Sequence, residues 1–309
     1  MKDDYDLVIV GGGAAGLSAA QYGARANLRT LLLEETAPGG QALLIDHLEN
    51  YPGCVEQRSG YDFANAMREQ AERFGAEMRT GQVGAVVRRG GGFEIDEEGG
   101  RLRSAAVIAA TGAEHRKLGV PGEAEFSGRG VSYCATCDGP FFKGKRILVV
   151  GGGDAACDEA GFLAKLSDRV VMVHRGPAFR AQKAVAARAL GNPNIQVRFN
   201  QLVRGIRGDS KVRSVELEHL ADGSRYAEEF DAVFVFVGSN PRSALFAEAE
   251  RDESGYLVAD QRMATSVPGL FVAGDLRASP FRQVVVAAAD GAIAAHSAAQ
   301  YLDGLLAAG

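Results

Sequence analysis

The sequence predicts an α/β fold containing two nucleotide-binding units of the Rossmann type. Two observations carry most of this. A strand, a glycine-rich loop, a helix and a second strand open the chain, and the same order recurs 140 residues later. A third is that short apolar runs near residues 105 and 270 read as further strands for the first unit.

The first unit begins with "YDLVIV" (5–10), a short buried strand. "GGGAAG" follows, with Gly11, Gly13 and Gly16 in the G-x-G-x-x-G pattern. "LSAAQYGARANL" reads as the helix and "RTLLLEE" as the second strand. One glycine permits the tight turn, one lets a pyrophosphate approach the backbone, and one lets helix and strand pack closely. The pyrophosphate then rests on the helix N-terminus, where unpaired N–H groups and the helix dipole favour an anion. Glu34 stands 23 residues after Gly11, where a carboxylate accepts hydrogen bonds from ribose hydroxyls.

In the second unit "KRILVV" is the strand, "GGGDAA" supplies Gly151, Gly153 and Ala156, "CDEAGFLAKL" is the helix and "DRVVMVHR" the second strand. The same offset of 23 residues from Gly151 lands on His174, with Arg175 next and Arg180 five residues further. An acid at that place would repel a 2′-phosphate, whereas these residues attract one. The first unit therefore suits a ribose diol, as in FAD or NAD, and the second suits NADP. "AAVIAATGAEHR" (105–116) and "VPGLFVAGDL" (267–276) are strands that deliver small residues and one carboxylate, Asp275. Read alone, Asp275 equally suits the cap of a following helix.

The whole chain limits the other classes. It has 309 residues, enough for two domains, and a net charge of −5 with no basic stripe, which argues against a nucleic-acid partner. The acidic start "MKDDYDLVIV" is not a secretory leader, and no apolar run approaches the roughly 18 residues needed to cross a membrane. Four cysteines are too few for a disulfide scaffold, so a cytoplasmic, reducing location is expected.

Two of those cysteines, Cys134 and Cys137, lie in "SYCATCDGPF". A structural zinc needs four ligands, but Cys54 and Cys157 are isolated and the five histidines form no close pair. A buried, inert pair is the bland reading. A working dithiol explains the neighbours better: a helix start favours the thiolate, and Asp138 beside the pair can take up and return a proton. Cys157, on the apolar side of its helix, reads as a small core residue.

At this point the chain resembles the low-molecular-weight bacterial thioredoxin reductases, along almost its full length and in order. The segments that carry the resemblance include "VIVGGGAAGLSAAQYGARANL", "PGGQ", "ENYPG", "ATGAEHRKLGVPGE", "GRGVSYCATCDG", "VVGGGDAACDEAGFLAK", "HRGPAFRAQK", "FVFVGSNP", "VPGLFVAGD" and "FRQVVVAAADG". "CATCDG" just before the second glycine motif is the most specific of them. The resemblance implies two three-layer Rossmann-like domains, the second inserted into the first: an FAD domain over 1–116 and 244–309 and an NADPH domain with the dithiol over 117–243. It implies FAD contacts at Gly11, Gly13, Ala14, Ala15, Gly16, Glu34, Gly40, Gln41, Asn50, Asp275, Arg282, Gln283 and Val284, with Asp275 on the ribitol. It implies NADPH contacts at Gly151, Gly153, Asp154, Ala155, His174, Arg175 and Arg180. Asp138 becomes the proton donor and acceptor, Cys137 the sulfur that faces the flavin, and Cys134 the one that attacks the disulfide of thioredoxin. A homodimer is implied as well.

One residue departs from the pattern. The family's His-Arg-Arg signature reads "HRG" here, with Gly176 in place of the second Arg. Losing one charge-assisted bond to a phosphate costs roughly 1.5–3 kcal/mol, so NADH is an expected alternative donor. The same flavin and dithiol chemistry also accommodates ferredoxin as donor, and a peroxiredoxin-system protein or oxygen as acceptor. Because nicotinamide and dithiol need one flavin edge, the inserted domain is expected to rotate about linkers near 112–120 and 238–246, where Gly112, Gly119, Gly122, Gly238 and Pro241 fall.

Overall fold

In the computed structural model of the chain, the described residues are 4–45, 48, 51–54 and 59–308. The chain divides into two compact units, Met1–Glu114 with Asn240–Gly309, and His115–Ser239. The divisions fall at 114/115 and 239/240, against the expected 116/117 and 243/244.

The first unit is built on a seven-stranded sheet. Strands Glu77–Thr80, Thr30–Glu34, Asp4–Val10 and Gly100–Ala109 lie side by side in parallel. The long strand Gly100–Ala109 shares its other edge between two partners. Its first half pairs with the antiparallel strand Gly92–Glu97, and its last three residues with Leu270–Val272. The two-residue period of a strand sorts the buried side chains. Leu7 and Ile9 face a core completed by helices Ala14–Arg25, Gly60–Arg73 and Val284–Ala308, while Val8 and Val10 face a second core that includes Phe246, Leu257 and Leu276. Each such side chain contributes roughly 1.5–3 kcal/mol by leaving water. The last helix lies close on the first because Gly291 has no side chain: a Cβ there would stand 2.1 Å from the Ala15 carbonyl oxygen. Ser18 Oγ donates to the Ala288 carbonyl at 2.7 Å across the same contact.

The second unit carries a five-stranded parallel sheet in the order Ile195–Phe199, Val170–His174, Ile147–Gly151, Ala232–Phe236 and Val131–Ser132. Helix Asp154–Leu166 covers one face through Ala156, Cys157, Ala160 and Leu163. An antiparallel sheet of Gln201–Gly208, Val212–His219 and Arg225–Glu229 covers the other through Val203, Val215 and Leu217. Both units thus have three layers, as expected.

The two connecting segments pair with one another as the short strands Ala113–His115 and Ser239–Pro241. Of the expected hinge glycines, Gly112 (φ +67°) and Gly238 (φ +115°) lie at this division. Gly119 and Gly122 do not. The Gly119 amide is held by Glu123, and a Cβ on Gly122 would stand 1.9 Å from the Ile206 carbonyl oxygen, so both positions are tied to groups within the second unit.

Candidate functional site

In the first unit the strand Asp4–Val10 runs straight into the glycine loop. Gly11 has φ +106°, and a Cβ on it would stand 2.3 Å from the Ala110 carbonyl oxygen. A Cβ on Gly16 would stand 1.9 Å from the Gly11 carbonyl oxygen. These two glycines are required by the protein itself. Gly13 is not: a Cβ there meets nothing within 4 Å, so the space before it is open. The first intrahelical bond is Leu17 N–H to the Gly13 carbonyl at 2.9 Å, and the amides of Ala14, Ala15 and Gly16 precede it. Glu34 closes the loop from the side. Its Oε2 accepts from Gly12 N–H at 2.6 Å, and its Oε1 from the amide and hydroxyl of Thr36. Gly39 N–H donates to the Gly12 carbonyl at 2.7 Å, which brings Gly40 against Gly13, and Gln41 Nε2 donates to the Ala113 carbonyl.

The far end of the chain reaches the same loop. Gly274 (φ +73°) is so near the first helix that a Cβ on it would stand 2.8 Å from Ala15 Cβ. Asp275 follows in a single turn, Gly274–Leu276, fixed from behind by a buried bidentate ion pair between Arg277 and Asp290, both contacts 3.0 Å. Asp290 Oδ2 also accepts from Gly274 N–H at 3.3 Å. Burial pushes the Asp275 carboxyl up, the Arg282 charge opposes this, and Asp290 adds to it. Among the described residues no side chain or amide donates to the Asp275 carboxylate. Arg282 lies 4.0 Å over the Tyr256 ring, and its Nε is buried without a hydrogen-bond partner. Gln283 precedes helix Val284–Ala308 and accepts from Ala287 N–H at 2.9 Å. An open approach to bare helix amides, an unpaired carboxylate and an orphaned guanidinium nitrogen fit a dinucleotide that carries a polyol. Asn50 lies outside the described residues.

In the second unit Gly151 and Gly153 repeat these roles. A Cβ on Gly151 would stand 2.3 Å from the Phe236 carbonyl oxygen, whereas one on Gly153 meets nothing within 4 Å. Exposed Ala155 and half-buried Asp154 start the helix. The Asp154 carboxylate accepts from the amide and side chain of Gln182 at 2.7 and 2.9 Å, so it anchors the loop after Phe179 as well as lining the helix start. The structure refines the reading of His174. It is buried, and the nearby Arg180 and Arg175 add to burial in lowering its pKa. The ring therefore favours its neutral form and lies against Gly152, where a Cβ would stand 2.3 Å from Nδ1. The positive charge on this loop comes from the exposed Arg175 and Arg180, the latter placed by a 2.7 Å bond from its amide to the Gly152 carbonyl.

Cys134 follows the two-residue strand Val131–Ser132 and is disulfide-bonded, while Cys54 and Cys157 are free. The backbone of Cys137 lies in the one-turn helix Ala135–Asp138, and its side chain lies outside the described ones. Asp138 N–H donates to the Cys134 carbonyl at 3.2 Å. A single turn carries a smaller dipole than the helix start expected from the sequence. The Ser132 hydroxyl accepts from Cys134 N–H and donates to the Cys134 carbonyl, both at 3.1 Å. Gly139 then packs on Phe162, Leu163 and Leu166 of the neighbouring helix. Cys157 is buried, and burial pushes its thiol up to about 11, in keeping with a core residue. Among the described residues no cluster of His, Cys, Asp and Glu could hold a metal ion. None is in a helix long and apolar enough to cross a membrane.

The sequence profile of the family described as pyridine nucleotide-disulphide oxidoreductase matches residues 5–291. Thioredoxin reductase of Treponema pallidum (strain Nichols) is 55% identical over 305 residues, covering 99% of each chain. The chain belongs to this family, among its thioredoxin reductases of the low-molecular-weight bacterial type. Solved structures agree. The crystal structure of Lactococcus lactis thioredoxin reductase superposes with a TM-score of 0.90 at 39% identity, covering 97% of this chain and 99% of that one. That of T. acidophilum thioredoxin reductase gives 0.87 at 35% identity, with 98% and 99% covered. Members of the family act with a flavin and a nicotinamide nucleotide, which agrees with the two open glycine loops.

Sequence reading missed three parts of the site: the Arg277–Asp290 pair, Tyr256 beneath Arg282, and Glu123, which binds the segment before Cys134. The "SY" before Cys134 and the acid after "VPG" were visible, but a partner ten residues away in a loop has no periodic signal.

Proposed function

We propose that the chain is an NADPH-dependent thioredoxin-disulfide reductase that holds FAD on the first glycine loop and NADPH on the second. The observation that carries this is the disulfide at Cys134, placed in a unit that has its own open nucleotide loop. When bound, the two cofactors supply the hydride relay that delivers two electrons to this disulfide.

The chain's own residues do the rest. The amides of Ala14, Ala15 and Gly16 receive the FAD pyrophosphate, Glu34 its adenosine ribose, and Asp275 the ribitol hydroxyls. Arg282, Gln283 and Val284 face the flavin. Gly151, Gly153, Asp154 and Ala155 receive the second pyrophosphate, and Arg175 and Arg180 the 2′-phosphate. In the reduced protein the Cys134 thiolate attacks one sulfur of the thioredoxin disulfide. The S–S bond breaks, the departing thiolate takes a proton, and a mixed disulfide forms. Cys137 then attacks Cys134, which releases the second thioredoxin thiol and restores the protein's disulfide. Asp138 takes the proton from the attacking thiol and returns it to the departing one. Two electrons pass to thioredoxin in each cycle. We also infer a homodimer and a cytoplasmic location, the first resting on the resemblance and the second on the low cysteine content, four in 309 residues.

Gly176 favours a second donor. With one guanidinium fewer on the 2′-phosphate, NADH becomes a competent substitute for NADPH. Anaerobic titration of the purified protein with NADPH, NADH and reduced ferredoxin, followed by addition of thioredoxin, tests the whole reading. NADPH, and less readily NADH, is expected to reduce the protein, and thioredoxin to reoxidise it. Reduction by ferredoxin alone would overturn the donor assignment.

A further inference from the structure

The segment that presents Cys134 is thinly attached to its sheet. The strand before it pairs with its neighbour at only two positions, Val131 with Val233 and Ser132 with Phe234. What holds the segment instead is a buried carboxylate. Glu123 is 3% exposed. Its Oε1 accepts from the Tyr133 hydroxyl at 2.8 Å and from Leu118 N–H at 2.7 Å, and its Oε2 from Gly119 N–H at 2.7 Å. Three donors and no cation among the described residues satisfy this charge, a fully hydrogen-bonded arrangement that fixes all the groups taking part. Tyr133 is the residue immediately before Cys134, and Ser132 closes on both the amide and the carbonyl of Cys134.

We propose that Glu123, acting through Tyr133, is a positioning residue for the Cys134 disulfide. The inference rests on the reading of Cys134 as redox-active. A disulfide tolerates only a narrow range of Cα separations and Cβ directions. A backbone held in that geometry raises the effective concentration of one sulfur at the other, and so favours the oxidised form. Releasing the Tyr133 hydroxyl loosens the N-terminal side of the pair and makes its reduction easier. The residue acts on the poise of the dithiol and touches neither sulfur.

The test equilibrates the holoprotein anaerobically with a graded glutathione buffer, in which two thiols of glutathione reduce the protein disulfide and become glutathione disulfide. Rapid alkylation and peptide mass spectrometry then read the reduced fraction of Cys134. Tyr133→Phe and Glu123→Gln are expected to shift the midpoint ratio about tenfold toward easier reduction, which for a two-electron couple is about 30 mV. Glu218→Gln is the control. It breaks a comparable carboxylate network with Arg204 and Arg225 in the outer sheet and is expected to leave the midpoint unchanged, even where it lowers the melting temperature. If Glu123→Gln fails to fold, Tyr133→Phe alone decides, because it removes a single hydroxyl. Unshifted midpoints in a titrating protein would overturn the positioning role and leave the dithiol reading intact. A Cys134 that does not titrate even in the unsubstituted protein would overturn both.

Discussion

The imidazole of His174 fills the space that a side chain at Gly152 would need, and its other edge bounds Gly176, where a Cβ would stand 2.9 Å from Nε2. The expected gain from restoring an arginine at 176 is therefore partly lost to moving this ring. A new charge-assisted bond contributes about 1.5–3 kcal/mol. An off-rotamer His174 costs about 1 kcal/mol. Gly176→Arg is expected to lower KM for NADPH by about 2- to 30-fold and leave KM for NADH nearly unchanged. Steady-state kinetics with both nucleotides checks this. Equal effects on the two would show that position 176 does not meet the 2′-phosphate.

The two kinds of glycine in the first loop separate folding from binding. Gly16→Ala places a Cβ 1.9 Å from a backbone oxygen, so the first unit is expected not to fold. Gly13→Ala places one in open space. That variant is expected to keep the far-ultraviolet spectrum and melting temperature of the cofactor-free protein but to retain little flavin. A yellow, fully loaded Gly13→Ala protein would show that no pyrophosphate lies there.

For the dithiol, Cys137→Ser is expected to trap a stable mixed disulfide between Cys134 and a thioredoxin that lacks its resolving cysteine. Cys134→Ser is expected to trap none, and turnover should fall to background in both. Substitution of Cys54 or Cys157 should do neither. Non-reducing electrophoresis reads the adduct, and trapping by Cys134→Ser instead would reverse the two roles.

Asp290 is 4% exposed and carries the charge that neutralises Arg277. Asp290→Asn leaves a largely buried guanidinium without its counter-ion, at about 3–5 kcal/mol. Replacing both partners together, Arg277→Met with Asp290→Leu, is expected to recover most of that stability while freeing the turn that carries Asp275. Urea unfolding gives the first quantity and flavin release the second. A double variant as tightly flavin-bound as the parent would show that the pair does not position the turn.

Burial first, and then the charge of Asp158, push the Glu159 carboxyl up to about 7 from 4.5. The folded value lies above the unfolded one, so the stability linked to this group is fully present below pH 4.5 and is lost as pH rises through 7. Glu159→Gln is expected to be more stable than the parent at pH 8 by roughly 1–3 kcal/mol, discounted for partial exposure, and no more stable at pH 4.5. Denaturant unfolding at the two pH values measures the difference. A gap of the same size at both would show that the carboxyl titrates normally.

The layered fold and both nucleotide loops were legible because their cause is local. A strand period that switches to a helix at "GGGAAG" or "GGGDAA" leaves little choice of structure, and Gly11 and Gly151 stand at turns a side chain would obstruct. Asp275 was ambiguous from sequence, since a cap and a cofactor ligand look alike; its environment, unpaired and backed by Arg277 and Asp290, depends on a helix that begins nine residues later. His174 was read as a charge beside two arginines. Its burial against Gly152 depends on three-dimensional packing that an offset of 23 residues does not encode. Glu123 escaped for the same reason, because its donors come from two separate segments, the Leu118 and Gly119 amides and the Tyr133 hydroxyl.

The division of the chain also fixes an order of events during synthesis. Residues 115–239, one uninterrupted stretch, contain every strand of the second unit's sheets. The first unit needs Leu270–Val272 on the edge of Gly100–Ala109, and then the final helix, before its core is complete. On the ribosome the inserted unit can therefore close while its host still waits for one of its seven strands and for its final helix. Through that interval the host exposes an apolar strand edge, so the aggregation-prone stage of synthesis belongs to the domain that starts first and finishes last.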